Sequence, residues 1–190
     1  MDKIAEKLTD YILSKGEITE KEYAVYRYGF QSGLEQTLCI LFSLCIAYTL
    51  NMIWTCIIFM AVFFLQRSYI KGIHLNSYTG CFALSVSTIF LGLILCQTVC
   101  ISDEAALITT VCLLMTVFVL SELFPADDDI SAMKYYNKQK RLITLFTVLL
   151  ALFLFEIHCN KGLFIILYAE CVMFLSTVLQ LYREEHKKSE

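Results

Sequence analysis

Charge is scarce in this sequence. Only 17% of its 190 residues are Asp, Glu, Lys or Arg, against 58% that are hydrophobic, and the mean hydropathy is +0.65. That is too little polar material for the surface of a soluble domain of this size, so the chain reads as an integral membrane protein. An excess of positive charge is missing as well: the net charge of −3 leaves no basic face able to neutralise several phosphates, which excludes nucleic acid as a partner. No glycine-rich phosphate cradle, no His-Glu-x-x-His and no paired Cys-x-x-Cys occur, and no internal repeat or low-complexity tract is evident. A charged n-region followed by a short apolar run is also lacking, so the N-terminus is expected to be retained.

What is present is a succession of apolar runs, at 34–49, 52–65, 80–101, 105–124, 142–155 and 163–181. They predict an all-α polytopic membrane protein of about six transmembrane helices. The first, second and fifth runs are short for a hydrocarbon core of about 30 Å, which about 20 residues cross comfortably. Leu50-Asn51-Met52 predicts a tight hairpin between the first two runs, the alternative being one long bent segment over 34–65. Six spans divide the chain into an N-terminal amphipathic segment (1–33), a membrane domain (34–181) with a polar loop at 66–81, and a tail (182–190).

Lys and Arg fix the expected orientation, because cytoplasmic connections carry the excess. Six spans put 14 of the 15 on one side, all but Lys161. Both termini and the 66–81 loop are therefore expected in the cytoplasm. Before the first span, Ile4, Leu8, Tyr11 and Ile12 recur at helical spacing, Gly16 interrupts, and Thr19-Glu20-Lys21-Glu22 has the form of a capping box opening a second helix lined by Tyr23, Tyr26 and Phe30. Such a pair suits a helical hairpin on the inner leaflet, or a small cap packed on the loops.

Of nine cysteines, Cys39, Cys45, Cys56, Cys96, Cys112 and Cys171 lie inside apolar runs, where cysteine behaves as a small hydrophobe. Cys100 and Cys159 stand near membrane ends, where a disulfide is conceivable but no pairing signal exists. Cys81 differs, because it follows Gly80 at the start of the third run, with Arg67 and Lys71 close in sequence. A helix amino end and nearby cations both favour a thiolate, and backbone N–H groups there can receive an oxyanion. His74 is the side chain suited to take the thiol proton and return it to a leaving amine. On one straight helix the two side chains would stand about 10.5 Å apart along the axis, so the dyad requires a bend, which Gly72, Asn76, Ser77 and Gly80 permit. The same two residues could supply two zinc ligands, but any others would have to be scattered carboxylates; neither metal nor cofactor is expected.

The arrangement of Arg67, Gly72, His74 and Cys81, with six residues between His and Cys, resembles the core pattern of the accessory gene regulator B (AgrB) family of bacterial membrane cysteine endopeptidases. "YGFQSGLEQTL" (28–38) resembles the family's opening element, and "FPADDDISAMKYYNKQKR" (124–141) its Pro-containing, then basic, loop. Two positions depart: Lys71-Gly72 stands where a Gly-Gly pair is usual, and Leu75 where an alanine is usual. The resemblance implies a plasma-membrane enzyme that cleaves the C-terminal part off an AgrD-like signal propeptide through an acyl-enzyme and passes the acyl group to a thiol or hydroxyl of the peptide, for quorum sensing. Cys81 is then the nucleophile and His74 the general acid and base.

Around that pair, Arg67, Lys71 and Gly72 are expected to give support, with Glu35, Gln36, Asn76 or Ser77 orienting His74; the alternative for Glu35 is a helix-end carboxylate at the interface. Lys134, Lys138, Lys140 and Arg141 are expected to meet either anionic lipid or an acidic propeptide tail. Glu170, ionisable in mid-span, is a functional candidate by default, the alternative being a protonated acid paired inside the bundle. Membrane lipids and the propeptide are the expected partners, and a homodimer is compatible with the sequence without being required by it. The competing reading is a non-catalytic small transporter or binding module.

Overall fold

The computed structural model describes residues 2–70, 78–123 and 130–188. They form seven helices: α1 (Asp2–Ser14), α2 (Tyr23–Thr49), α3 (Ile53–Arg67), α4 (Tyr78–Thr98), α5 (Asp103–Leu123), α6 (Ile130–Glu156) and α7 (Asn160–Lys188). No strand occurs among the described residues, so the all-α expectation holds. His74, Lys71, Gly72, Asn76, Ser77 and Asp127 to Asp129 lie outside the described residues.

Three helices end in one device. After α1, α2 and α6 the chain turns through a residue of positive φ: Gly16 (φ 74°), Asn51 (φ 54°) and His158 (φ 51°). In each case the next N–H reaches back to a carbonyl five residues earlier: Glu17 to Ile12, Met52 to Ala47 and Cys159 to Leu154. The Gly16, Asn51 and His158 N–H groups bond to Leu13, Tyr48 and Phe155, completing the two-bond Schellman closure. Asparagine and histidine are among the non-glycine residues that tolerate this left-handed backbone. The turn at Asn51 makes α2 and α3 a hairpin and rules out the long bent segment.

α7 is the central element. It packs against α3, α4, α5 and α6, and Leu163, Ile165, Ile166, Ala169 and Met173 along it are essentially sealed from solvent. α4 comes close to it at Gly92, where a Cβ would lie 2.5 Å from Cε1 of Tyr168. Tyr168 in turn donates to the Thr88 carbonyl at 2.9 Å and sets its ring 5.9 Å from Phe59 of α3. The absence of a side chain at Gly92 lets α4 and α7 close on one tyrosine.

Four helices, α2, α4, α5 and α7, are long and apolar enough to cross a membrane, so the chain is a multi-pass membrane protein. α3 and α6 do not meet that standard, and six spans are not established. The reasons differ. α3 is apolar but has only 15 residues, which span about 22 Å of the roughly 30 Å needed. α6 is long, with 27 residues, but carries Lys138, Lys140 and Arg141 in its first half.

At the amino end, the segment expected to be separate from the first span is continuous with it: α2 runs unbroken from Tyr23 past residue 33 to Thr49. Glu22 accepts both the backbone N–H and the hydroxyl of Thr19, at 2.9 and 2.8 Å, and the Thr19 amide holds the Glu22 carboxyl below its ordinary range; the expected capping box does not open the helix, because α2 begins at Tyr23 with Glu22 in the N-cap position and no side-chain cap. α1 folds back on α2 through buried Ala5 and Thr9 and through Tyr23, whose hydroxyl donates to Asp10 at 2.7 Å. Ile4, Leu8 and Tyr11 stay exposed. An apolar stripe left uncovered by the chain is what an interfacial helix presents to lipid.

Candidate functional site

Cys81 is half-buried in the opening turns of α4. A helix amino end carries partial positive charge from its aligned peptide dipoles, which favours an anion there. The sequence placed Arg67 fourteen positions earlier; the fold brings it back. α3 ends at Arg67, and its guanidinium lies within electrostatic reach of the Cys81 thiol. Arg67 Nη1 also donates to Ser176 Oγ of α7 at 3.1 Å, so α7 helps hold the cation at the thiol. The arginine is half-buried, which weakens water's screening of its charge.

α2 supplies the third wall. Its inward stripe reads Glu35, Cys39, Ser43, Ala47 at intervals of four, of which the last three are buried. Cys39 is in electrostatic reach of Cys81 and lies beside Ser85, one turn further along α4. Phe42 and Phe82 meet edge to face with centroids 5.5 Å apart, fixing α2 against α4 beside the cysteine. Glu35, one turn from Cys39 on the same stripe, is half-buried and accepts from Gln31 Nε2 at 3.0 Å; Gln36 is exposed. Of the expected supports, Arg67 is within electrostatic reach of Cys81, and Glu35 lies one turn from Cys39 on the inward stripe of α2.

The basic cluster divides. Lys134 lies in the opening turns of α6, while Lys138 and Arg141 are exposed. Lys140 is buried and donates to the Ser121 carbonyl in the last turn of α5 at 2.9 Å, with Glu122 in electrostatic reach. It caps the negative end of that helix. Burial pushes the Lys140 ammonium down from its ordinary range, and Glu122 opposes that shift.

All nine cysteines are free thiols, so the conceivable disulfide at Cys100 and Cys159 is not formed. Among the described residues no group of three His, Cys, Asp or Glu converges in the manner of a metal site. Of the other two histidines, His158 closes the α6 turn with Nδ1 3.9 Å from Asp103, and His186 packs on Tyr182 near the end of α7. Sequence reasoning missed Cys39, Ser85 and Ser176, which surround Cys81 and Arg67. The Glu35-Cys39-Ser43-Ala47 spacing was a signal for the first; nothing local marks Ser176.

The family model of accessory gene regulator B matches residues 5–182, from α1 to near the end of α7. The chain belongs to the AgrB family. No curated protein and no solved structure gives a match. Membership ties this AgrB chain to processing of the accessory gene regulator's quorum-sensing peptide and implies a propeptide as its partner. The match includes every residue named around Cys81.

Proposed function

We propose that this AgrB chain is a membrane cysteine endopeptidase in which Cys81 is the nucleophile and His74 the general acid and base. The observation that carries the reading is that Cys81, at the amino end of α4, lies within electrostatic reach of the Arg67 guanidinium in an AgrB-family chain. In this mechanism sulfur attacks as the thiolate, once its proton has passed to the base. In the first half-reaction the Cys81 proton passes to His74, and sulfur bonds to the scissile carbonyl carbon. The carbonyl then re-forms, the C–N bond breaks, and the amine of the C-terminal fragment leaves with the proton from His74. In the second, a thiol or hydroxyl of the bound peptide gives its proton to His74 and attacks the Cys81 thioester; the C–S bond to Cys81 breaks, the ring closes, and His74 returns the proton to the Cys81 sulfur.

Exchange of one thioester for another is nearly balanced, whereas attack by water is strongly downhill. The enzyme must therefore exclude water and hold the internal nucleophile at the carbonyl. A half-buried cysteine walled by α2, α3 and α4 suits both demands. The reading places six spans in the plasma membrane, with both termini and Cys81 at the cytoplasmic face.

The test is propeptide cleavage by reconstituted Cys81→Ser and His74→Ala protein. Each is expected to lose cleavage by about a thousandfold or more while inserting normally. Full cleavage by either variant would overturn the assignment.

A further inference from the structure

Gln66 and Glu170 face each other inside the bundle, 1% and 0% exposed. Gln66 Nε2 donates to Glu170 Oε1. The two remaining oxygens, Gln66 Oε1 and Glu170 Oε2, are buried and have no hydrogen-bond partner among the described residues. With an ionised Glu170 both would be acceptors with nothing to accept, one of them charged, an arrangement that is costly in the middle of a span. The described groups acting on Glu170 include no cation: Gln66 bonds it from α3, and Cys171 is beside it on α7.

A single proton removes both defects. Placed on Oε2, it makes that atom an O–H donor, and the amide oxygen of Gln66 is the acceptor left over. Acid and amide then bond twice, N–H to acid carbonyl and O–H to amide carbonyl, and neither of the two orphaned oxygens is left without a partner.

Location gives the pair a consequence. Arg67 follows Gln66 in the chain, and Ser176 lies on α7 beyond Glu170, so this pair and the Arg67–Ser176 bond join the same two helices, and Arg67 is within electrostatic reach of Cys81. We propose that Glu170, carried as a neutral acid doubly bonded to Gln66, is a positioning residue: it fixes α3 against α7 in the register that delivers Arg67 to the Cys81 thiol. The proposal rests on the reading of Cys81 as nucleophile for its effect on catalysis, but not for the state of the pair.

Three measurements on reconstituted full-length protein test it: propeptide cleavage, site-resolved iodoacetamide labelling of Cys81 at neutral pH, and the infrared carboxylic-acid carbonyl band. Glu170→Leu and Gln66→Leu are expected to slow cleavage and Cys81 labelling by about tenfold or more, because small misplacements at a reacting centre are expensive. Glu170→Gln restores the double bond with a second amide, and should recover both rates to within about threefold while abolishing the acid band. The proposal is overturned if Glu170→Gln is as slow as Glu170→Leu, if no acid band is lost in Glu170→Gln, or if correctly inserted Glu170→Leu labels at the parental rate. Should the leucine variants not insert, the Glu170→Gln rates and the band still decide. Cleavage by Cys81→Ser protein would instead sink the protease reading and leave labelling and band to stand.

Discussion

Arg67 at the end of α3 donates to Ser176 on α7 at 3.1 Å while its charge reaches Cys81 on α4. Three helices remote in sequence thus share one guanidinium. A planar fork with five donors can serve a hydroxyl and still present charge to a second group, whereas an ammonium is a point charge on a flexible stem. Arg67→Lys is therefore expected to cost about tenfold in propeptide cleavage and Arg67→Gln about a hundredfold, the latter having lost the charge as well. Ser176→Ala should cost only a few-fold. Cleavage rates of reconstituted protein check the order; an Arg67→Gln protein as active as the parent would remove the cation from the mechanism.

The meeting of Gly92 with Tyr168 makes a prediction about stability alone. A methyl group at Gly92 would stand 2.5 Å from the Tyr168 ring, which is held by its bond to the Thr88 carbonyl and by Phe59 behind it. Gly92→Ala is expected to destabilise by about 1 to 3 kcal/mol, the usual cost of overpacking. Tyr168→Phe keeps the ring and loses the hydroxyl bond, for about 1 kcal/mol. Thermal unfolding in detergent measures both. Because the two residues touch, a double substitution of Gly92→Ala with Tyr168→Leu should cost less than the sum of its parts.

Much of this was legible from residue order. The apolar runs located α2 to α7, since each is long enough to be an unbroken helix, and Leu50-Asn51-Met52 announced a turn that asparagine can make. The chemistry of Cys81 could be suspected from Gly80, Arg67 and Lys71, because helix ends and nearby cations are local features. What sequence could not give is which helices become neighbours. Ser176 meets Arg67, and Gln66 meets Glu170, through the packing of α3 on α7, and no periodicity in either helix names its partner. Whether α3 and α6 cross the membrane was not legible for another reason: counting apolar residues treats a short helix and a partly charged helix alike. Lys140 looked equivalent to Lys138 in a basic run, yet an offset of two residues turns one side chain inward and the other outward on a helix.

That offset separates two roles which charge alone would merge. Lys138 and Arg141 are exposed and free to meet an acidic peptide tail or anionic lipid, whereas Lys140 is buried on the Ser121 carbonyl. Lys138→Glu with Arg141→Glu should leave the fold intact, since exposed substitutions away from special features are worth within about 0.5 kcal/mol. If these residues dock the propeptide, the same pair of reversals should raise KM for an acidic-tailed propeptide by about tenfold with little change in kcat, the pattern of lost uniform binding. Unchanged KM in correctly inserted protein would assign the two cations to lipid. Lys140→Met is expected to do the opposite: it leaves a buried carbonyl without its donor, costing about 1 to 3 kcal/mol, and lowers the unfolding temperature rather than substrate affinity. Measuring KM and thermal stability on both variants tells a docking cation from a helix cap, because each predicted effect falls on only one of the two axes.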